Sequence, residues 1–252
     1  MNTRILFSNI GYARGIDGTL WQHICRVSRH FYCGRTVQED VLAQLKDIIA
    51  GEQPDIVCFV EIDQGSRASA GFNQFQHMID DQYILSDAFN KYGEGKALKA
   101  MPFHSGKSNG FVSKQIVPFE RLYLQHGGKK LVYKLTLPDN ITLFFAHFSL
   151  QASVRIKQFS QMNEWVRACE GPVMILADFN IFQGFRELQP LLSGTDLAVV
   201  NDEHEHTFFF HRRAIALDLC LCSEYLLDKA KLKIIKQPFS DHAALLVDIA
   251  IP

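Results

Sequence analysis

At 252 residues and 47% hydrophobic, the chain is long enough to bury a sizeable core, and no composition shift divides it, so residues 1–252 are expected to form a single domain. No apolar run approaches the ~20 residues that a membrane-spanning helix needs. Met1 leads within a few residues into the strand-like stretch from Arg4 to Ile10, which leaves no room for a signal peptide, and a cytoplasmic location is the expectation. The six cysteines show neither C-x-x-C spacing nor a dense framework, and they are expected to be reduced core thiols rather than zinc ligands. The net charge of −1 is unevenly spread: segment 91–134 carries nine Lys/Arg against two Glu, segment 11–37 carries four Arg against one Asp, and the rest carries −11. Such segregation suits an anionic ligand approaching one region, and a set of solvated lysines gives the same pattern.

The first clear helix is expected from Thr36, where Thr36 and Glu39 have capping-box spacing and Val41, Leu42, Leu45, Ile48 and Ile49 share a face; Gly51 and Pro54 should end it. Residues 55–60 then form an apolar run of buried-strand character that stops at Glu61. Strands follow at 109–113, 119–126, 130–137 and 141–147, the last two joined as a hairpin by Pro138-Asp139-Asn140. A helix over 151–169 comes next, with Val154, Phe159, Met162, Val166 and Cys169 on its inner face. Gly171-Pro172 stops it before a buried strand at 173–177, and late strands fit 206–210, 215–222, 231–237 and 243–250. Helices alternate with strands while hairpins intervene, so the expected fold is an α/β four-layer sandwich, two mixed β-sheets flanked by outer helices.

Polar or ionisable residues recur at the ends of these apolar strands: Asn9, Glu61, His147, Asp178 with Asn180, Asp218, and Asp241 with His242. One such residue is usually a turn former or a cap. Six such places fit one rim, because strand ends at the same edge of a sheet converge where loops build sites. Glu61 and Asp241 offer hard oxygens for Mg²⁺ or Mn²⁺. Asn9, Asn180 and His147 can donate to phosphate oxygens, and Asp178, Asp218 and His242 can orient a proton transfer.

The strings Ala177-Asp178-Phe179-Asn180, Leu217-Asp218-Leu219 and Ser240-Asp241-His242, with Val60-Glu61 upstream and Ala146-His147-Phe148-Ser149 between, resemble the ordered motif set of the endonuclease/exonuclease/phosphatase superfamily. Pancreatic-type deoxyribonucleases, abasic-site endonucleases, deadenylases, neutral sphingomyelinases and inositol-polyphosphate 5-phosphatases belong to it. The resemblance implies that Glu61 is the main metal ligand, with Asp241 beside the metal and Asn9 close to both metal and scissile phosphate. It implies that Asp178 orients or deprotonates the attacking water, that Asn180 and His147 hold the phosphate, and that Asp218 aims His242 at a phosphate oxygen. Asn109, in Ser108-Asn109-Gly110-Phe111, matches the family's central strand start and is implied to touch phosphate. Val60 and Gly11 depart from the abasic-site pattern, which also has a Tyr-centred motif absent around Asn109. The segment from Ala177 to Phe182 lacks the tryptophan of the inositol phosphatases.

The expected activity is Mg²⁺-dependent hydrolysis of a phosphoester by in-line attack of water, with a nucleic acid strand as the first substrate class. A phospholipid or inositol phosphate is the alternative, and a catalytically dead binding module the remote one. The basic segments 11–37 and 91–134 are expected to bind substrate, and peripheral contact with a membrane is compatible with the sequence. His204 and His206 read as a polar loop, Phe208 to Phe210 as a strand with one exposed ring, and Phe31-Tyr32 as either a stacking platform or plain surface.

Overall fold

The computed structural model describes residues 2–93 and 103–250, and in them the apolar runs assemble two six-stranded mixed sheets. The first sheet contains β1 (Asn2–Asn9), β2 (Ile56–Asp63), β3 (Leu85–Asn90) and β4 (Lys107–Ser113). The second contains β5 (Phe119–Tyr123), β6 (Leu131–Thr136), β7 (Thr142–His147), β8 (Val173–Asp178) and β9 (Leu197–Val199). A separate hairpin of β10 (Phe208–Phe210) and β11 (Arg213–Ile215) precedes β12 (Asp218–Ser223), β13 (Ala230–Ile235) and β14 (Ala244–Ala250). The strand orders are β13-β14-β1-β2-β4-β3 and β5-β6-β7-β8-β12-β9.

Strands buried on both faces need apolar residues at every position, and β7, Thr142–His147, is buried throughout. Its alternate residues therefore serve two cores. Leu143 and Phe145 join Phe7, Cys58, Phe111, Tyr133 and Leu176 between the sheets, while Phe144 and Ala146 face Phe159 and Met162 of the helix Ala152–Arg167. On the other side α2 (Arg35–Glu52) lays Val41, Leu42, Leu45 and Ile49 against Leu6, Val57 and Phe59. The result is the expected four-layer order of helix, sheet, sheet, helix. The rings of Tyr133 and Phe145 stack at 4.7 Å in the central layer. The buried Tyr133 hydroxyl donates to Asp87 at 2.6 Å, so the polar end of this large residue is satisfied.

Several local expectations need correction. Helix α2 starts one residue early with Gly34 as its N-cap, which places Thr36 inside the first turn, and the capping box does not form. Glu39 instead accepts from Arg35 one turn back, at 2.8 Å. The helix runs through Gly51 and closes on Gln53 in the left-handed region (φ 51). Strand β2 does not stop at Glu61: pairing with β4 shifts register between Phe59 and Ile62 and resumes to Asp63. The run 215–222 divides into β11 and β12, because Leu217 and Asp218 both donate their N–H to Thr207 Oγ1, which turns the chain between them. None of the six cysteines is paired; four are buried, as expected for core thiols, but Cys25 is exposed. No helix among the described residues is long and apolar enough to cross a membrane.

Topology brings the functional strand ends together. In the first sheet β1 and β2 run parallel and finish side by side, and β14 runs back along β1, so Asp241 and His242 precede it at that same end. In the second sheet β7 parallels β8, pairing His147 with Asp178, and antiparallel β12 pairs Asp218 with Asp178.

Candidate active site

A register that aligns His147, Asp178 and Asp218 across three adjacent strands makes a row of chemistry at one edge of the second sheet. Asp178 is at its centre. Its Oδ2 accepts from the Asn9 side-chain amide at 3.0 Å, across the gap between the sheets, and lies 3.1 Å from His147 Nε2 and 4.0 Å from His242 Nε2. Its Oδ1 accepts from the Asn180 backbone N–H at 3.1 Å, a turn that requires Asn180 at φ 54. Asn, unlike bulkier residues, tolerates this left-handed conformation. The Asn180 side chain donates to the Phe148 carbonyl at 3.0 Å, which ties the β7 and β8 ends to each other.

Asp218 and His242 form the closest pair, with Asp218 Oδ2 2.6 Å from His242 Nδ1. Burial pushes Asp218 up and His242 down, and the bond between them pulls each back. Three carboxylates, Asp218, Asp178 and Asp241, surround the imidazole and keep the shared proton on it, with His242 raised to about 10. The ring also packs on Phe208 at 4.9 Å. Below it, Ser240 donates to the Asn9 carbonyl at 2.9 Å and Gln237 donates to the His242 carbonyl at 3.0 Å, so the β1 end and the Ser240–His242 turn are clamped together.

Glu61 reaches the same rim through the bulge in β2, where it takes φ 55. Such a bulge re-aims one side chain out of the sheet's alternation. Burial opposes its charge, but Lys91, His147, Lys129 and Arg14 outweigh that and hold Glu61 well below the usual carboxylate range. Lys91, itself buried, places Nζ 3.1 Å from Glu61 Oε1, and His147 Nδ1 lies 3.6 Å away. Asn109 of β4 lies opposite the bulge, and its buried Oδ1 has no hydrogen-bond partner. Asp241 is raised, by burial first and by Glu61.

All nine expected residues thus share one rim, and the cleft above Glu61, Asp241 and His242 has a volume of about 200 Å³. A larger cleft of about 490 Å³ beside Arg167 and Tyr225 gathers none of these groups. The oxygen donors Glu61, Asp241, Asn9 and the unpartnered Asn109 suit a hard divalent cation, and the site offers no thiol. Asp178, Asp218 and His242 also bring ligand atoms within 4.8 Å of one another. Within this trio the Asp218–His242 hydrogen bond already occupies one Asp218 oxygen and the imidazole Nδ1.

Sequence reasoning assigned both basic segments to the substrate but did not single out the cations that enter the site. Lys91 directly follows the unexpected strand β3, and Lys129 leaves the Gly127-Gly128 turn to touch His147 Nε2. Burial and Lys91 lower Lys129 to about 8, and burial and Lys129 lower His147 to about 4. The buried Tyr12 ring carries Arg14, Lys91 and Lys107 around it at 4.8, 4.9 and 5.0 Å. The excess of Lys/Arg in both basic segments was the available signal, but nothing local separated these four cations from the rest. Lys96 and Lys99 lie outside the described residues. His204 and His206 occupy an exposed loop, and Phe210 is the one exposed ring of its strand.

The chain matches the model of the Endonuclease/Exonuclease/phosphatase family over residues 37–242. No curated protein matches it. Among solved structures it is similar to the endonuclease domain of TRAS1, a telomere-specific non-LTR retrotransposon, at 14% identity over 99% of both chains with a TM-score of 0.60. It is also similar to the catalytic domain of human Nocturnin, at 14% identity over 100% of this chain and 95% of that one, with a TM-score of 0.64. An endonuclease/exonuclease/phosphatase from Bacteroides vulgatus gives 12% identity over 100% of both chains and a TM-score of 0.66. These likenesses concern the fold, and with the family match over most of the chain they identify it as a member of the endonuclease/exonuclease/phosphatase family, a hydrolase of phosphate ester bonds.

Proposed function

We propose that the protein hydrolyses a phosphodiester by in-line attack of water, with Mg²⁺ or Mn²⁺ as cofactor. The observation that carries this reading is the hydrogen-bonded group of Asp178, Asp218 and His242 facing an oxygen-donor set across one rim. A divalent ion would be held by Glu61 with Asp241 and Asn9, and when bound it neutralises charge on the phosphoryl oxygens. Asp178, ionised and aimed by Asn9 and the Asn180 N–H, orients the water and takes its proton. His242 stays protonated at neutral pH and is fixed by Asp218, so it stabilises the extra negative charge on the pentacovalent phosphorus oxygens. Neutral His147, with Asn180 and Asn109, positions the phosphate, and Lys91 and Lys129 add positive charge to the same rim.

For the substrate, the expectation of a nucleic acid strand rests on the basic segments. Arg35, Lys91, Arg121 and Lys134 are paired with Glu39, Glu61, Asp87 and Glu120, and Arg26 and Arg29 turn to backbone carbonyls. The likeness to an endonuclease domain supports nucleic acid as the first reading, and the exposed Trp21 and Phe31, in the segment whose His23 and His30 line the cleft, favour a phospholipid phosphodiester as the second.

A soluble activated phosphodiester tests the chemistry. Hydrolysis should vanish on chelation and return with Mg²⁺ or Mn²⁺, and full activity after exhaustive chelation would overturn the mechanism. Parallel assays on vesicle phospholipid and on single-stranded nucleic acid, each with wild type and Asp178→Asn, decide between the substrates. A log-log salt slope of about −0.7 per phosphate contact is the mark of the nucleic acid reading.

A further inference from the structure

Tyr12 and Arg14 follow the end of β1, Lys91 directly follows β3, and Lys107 opens β4. Pairing of β3 with β4 brings the two lysines together, and the Lys91 N–H donates to the Lys107 carbonyl at 3.0 Å. Beside them Gly11, Tyr12 and Ala13 all take left-handed backbone, at φ 53, 58 and 52. Residues with a side chain resist that region, so the turn must be held. Gln74 donates to the Tyr12 carbonyl at 2.8 Å, and Asn9 Oδ1 accepts from the Gly11 N–H at 3.1 Å. A strained turn anchored to Asn9 thus sets the Tyr12 ring among Arg14, Lys91 and Lys107, at 4.8, 4.9 and 5.0 Å from its centre.

Cations gathered on one ring repel one another, and burial strengthens the repulsion. Lys107 shows the effect: burial, Lys91 and Arg14 all lower it. Lys91 has a carboxylate at hand, Glu61 at 3.1 Å. Asp63 pairs with Lys107 across β2 and β4, but its oxygens accept from the Gly65 and Ser66 N–H groups and from the Ser66 and Ser69 hydroxyls. Apart from the ring, the Arg14 and Lys107 side chains have no hydrogen-bond or ion-pair partner among the described residues. The Tyr12 hydroxyl has none either, although the residue is only 6% exposed. A buried tyrosine hydroxyl normally finds a partner. Burial and Glu61 push it well above its ordinary value, so it keeps its proton and remains a donor. Two unpaired cations and an unused donor make a receptor for an anion.

This receptor adjoins the catalytic rim, because Lys91 touches both the Tyr12 ring and Glu61, and Arg14 lines the cleft with Glu61 and His242. The phosphate to be cleaved has its own donors in Asn180, His147 and His242. We infer that Tyr12, Arg14 and Lys107 bind a second phosphate, the terminal phosphate of a nucleic acid strand one nucleotide from the bond that is cut, so that the enzyme works from phosphorylated ends. The nucleic acid part of this statement rests on the first substrate reading above; the second anion subsite does not. Charge selects an end over the interior of a strand. A terminal phosphomonoester carries about −1.5 to −2 at neutral pH, which two unpaired cations match, whereas each internal phosphodiester carries a single charge.

The test uses the full chain carrying Asp178→Asn, so that binding is read without turnover. Calorimetry compares a thymidine dinucleotide with hydroxyl ends, the same dinucleotide with a 5′-phosphate or with a 3′-phosphate, and a trinucleotide with hydroxyl ends. One of the two phosphorylated forms should bind about 30-fold or more tighter than the hydroxyl form, as charge-assisted hydrogen bonds allow, and the trinucleotide should gain far less. Arg14→Met and Lys107→Met should each remove most of that preference, and Tyr12→Phe should reduce it by about 3–10-fold. The preference is a ratio within one protein, so a general loss of affinity leaves it unchanged. The melting temperature of Lys107→Met should not fall, because a charge that Lys91 and Arg14 repel is gone. Equal affinity for phosphorylated and hydroxyl ends, or a preference that survives in both Met variants, would overturn the subsite. A trinucleotide gain equal to that of the phosphorylated end would overturn the terminal assignment, and absence of binding by all of these nucleotides would sink it together with the nucleic acid reading. Failure of the hydrolytic reading shows separately, as no turnover by the wild type of a soluble activated diester, which carries no second phosphate, with Mg²⁺ or Mn²⁺.

Discussion

Asp178 is bonded on both oxygens and held in its charged form by His147 and His242 against the effect of burial. Asp178→Asn should lower kcat by about 10²–10⁴-fold with a much smaller change in KM. His242→Ala should act similarly, and Asp218→Asn should be milder. The loss in the Asp218/His242 double variant should fall well short of the product of the single losses, as steady-state kinetics of the four proteins would show. Lys91 neutralises Glu61 from 3.1 Å, so Lys91→Met should tighten Mg²⁺ binding by about tenfold while lowering turnover, a pairing that calorimetry separates from activity. Weaker Mg²⁺ binding in that variant would mean that Lys91 supports the carboxylate instead of competing for it. His147 provides a pH signature. Burial lowers it to about 4, whereas an unfolded histidine titrates near ~6.5. Between those values the unfolded chain binds a proton that the folded chain refuses, so stability falls as pH drops through that window, by up to about 3 kcal/mol from this residue. Melts at about pH 7 and about pH 5 should show a smaller difference in His147→Asn.

Two irregularities at the level of elements build the site. The bulge in β2 turns Glu61 toward the rim, and α1 (Leu20–Cys25), whose His23 lines the cleft, is held against the β10–β11 hairpin through Gly18. A Cβ at Gly18 would lie 1.9 Å from the Phe209 carbonyl oxygen, and its φ of +83 is one that side chains resist. The Gly18 carbonyl also accepts from the His211 N–H at 2.7 Å. Gly18→Ala should therefore separate α1 from the β10–β11 hairpin, cost about 1–3 kcal/mol, and speed proteolysis within residues 19–33 more than elsewhere. An unchanged melting temperature would show that the segment is not anchored there. Neither irregularity had a local signal strong enough to read. Val60-Glu61-Ile62 continues an apolar run as any strand would, and the periodicity of Leu20, Ile24, Val27 and Phe31 is that of a helix whose apolar face is buried.

For the molecule as a whole, two cores flank a central apolar layer that both sheets share, and the rim depends on their alignment. Phe145, fully buried beside Tyr133 and Phe111, should cost about 3–5 kcal/mol as Phe145→Ala, and denaturant unfolding would measure it. The sequence by itself determined the strands with continuous apolar runs, β2, β7 and β8, because burial on both faces leaves no other pattern. It also determined the residues at the rim, because Asn9, Glu61, His147, Asp178, Asp218 and His242 each interrupt or end such a run with a polar group. Strand β3 (Leu-Ser-Asp-Ala-Phe-Asn) escaped, since an edge strand with one partner needs no strong apolar pattern. Tertiary structure alone decided which basic residues belong to the site. Lys91 and Lys129 are no different in sequence from Lys114 or Lys130, and only the pairing of β3 with β4 and of β6 with β7 carries them to Glu61 and His147. It also decided that the face of α1 turned to the protein is its polar one, because Asp17 and the carbonyls of Arg14 and Gly15 offered Gln22, Arg26 and Arg29 stronger partners than any apolar surface could offer Leu20 or Ile24.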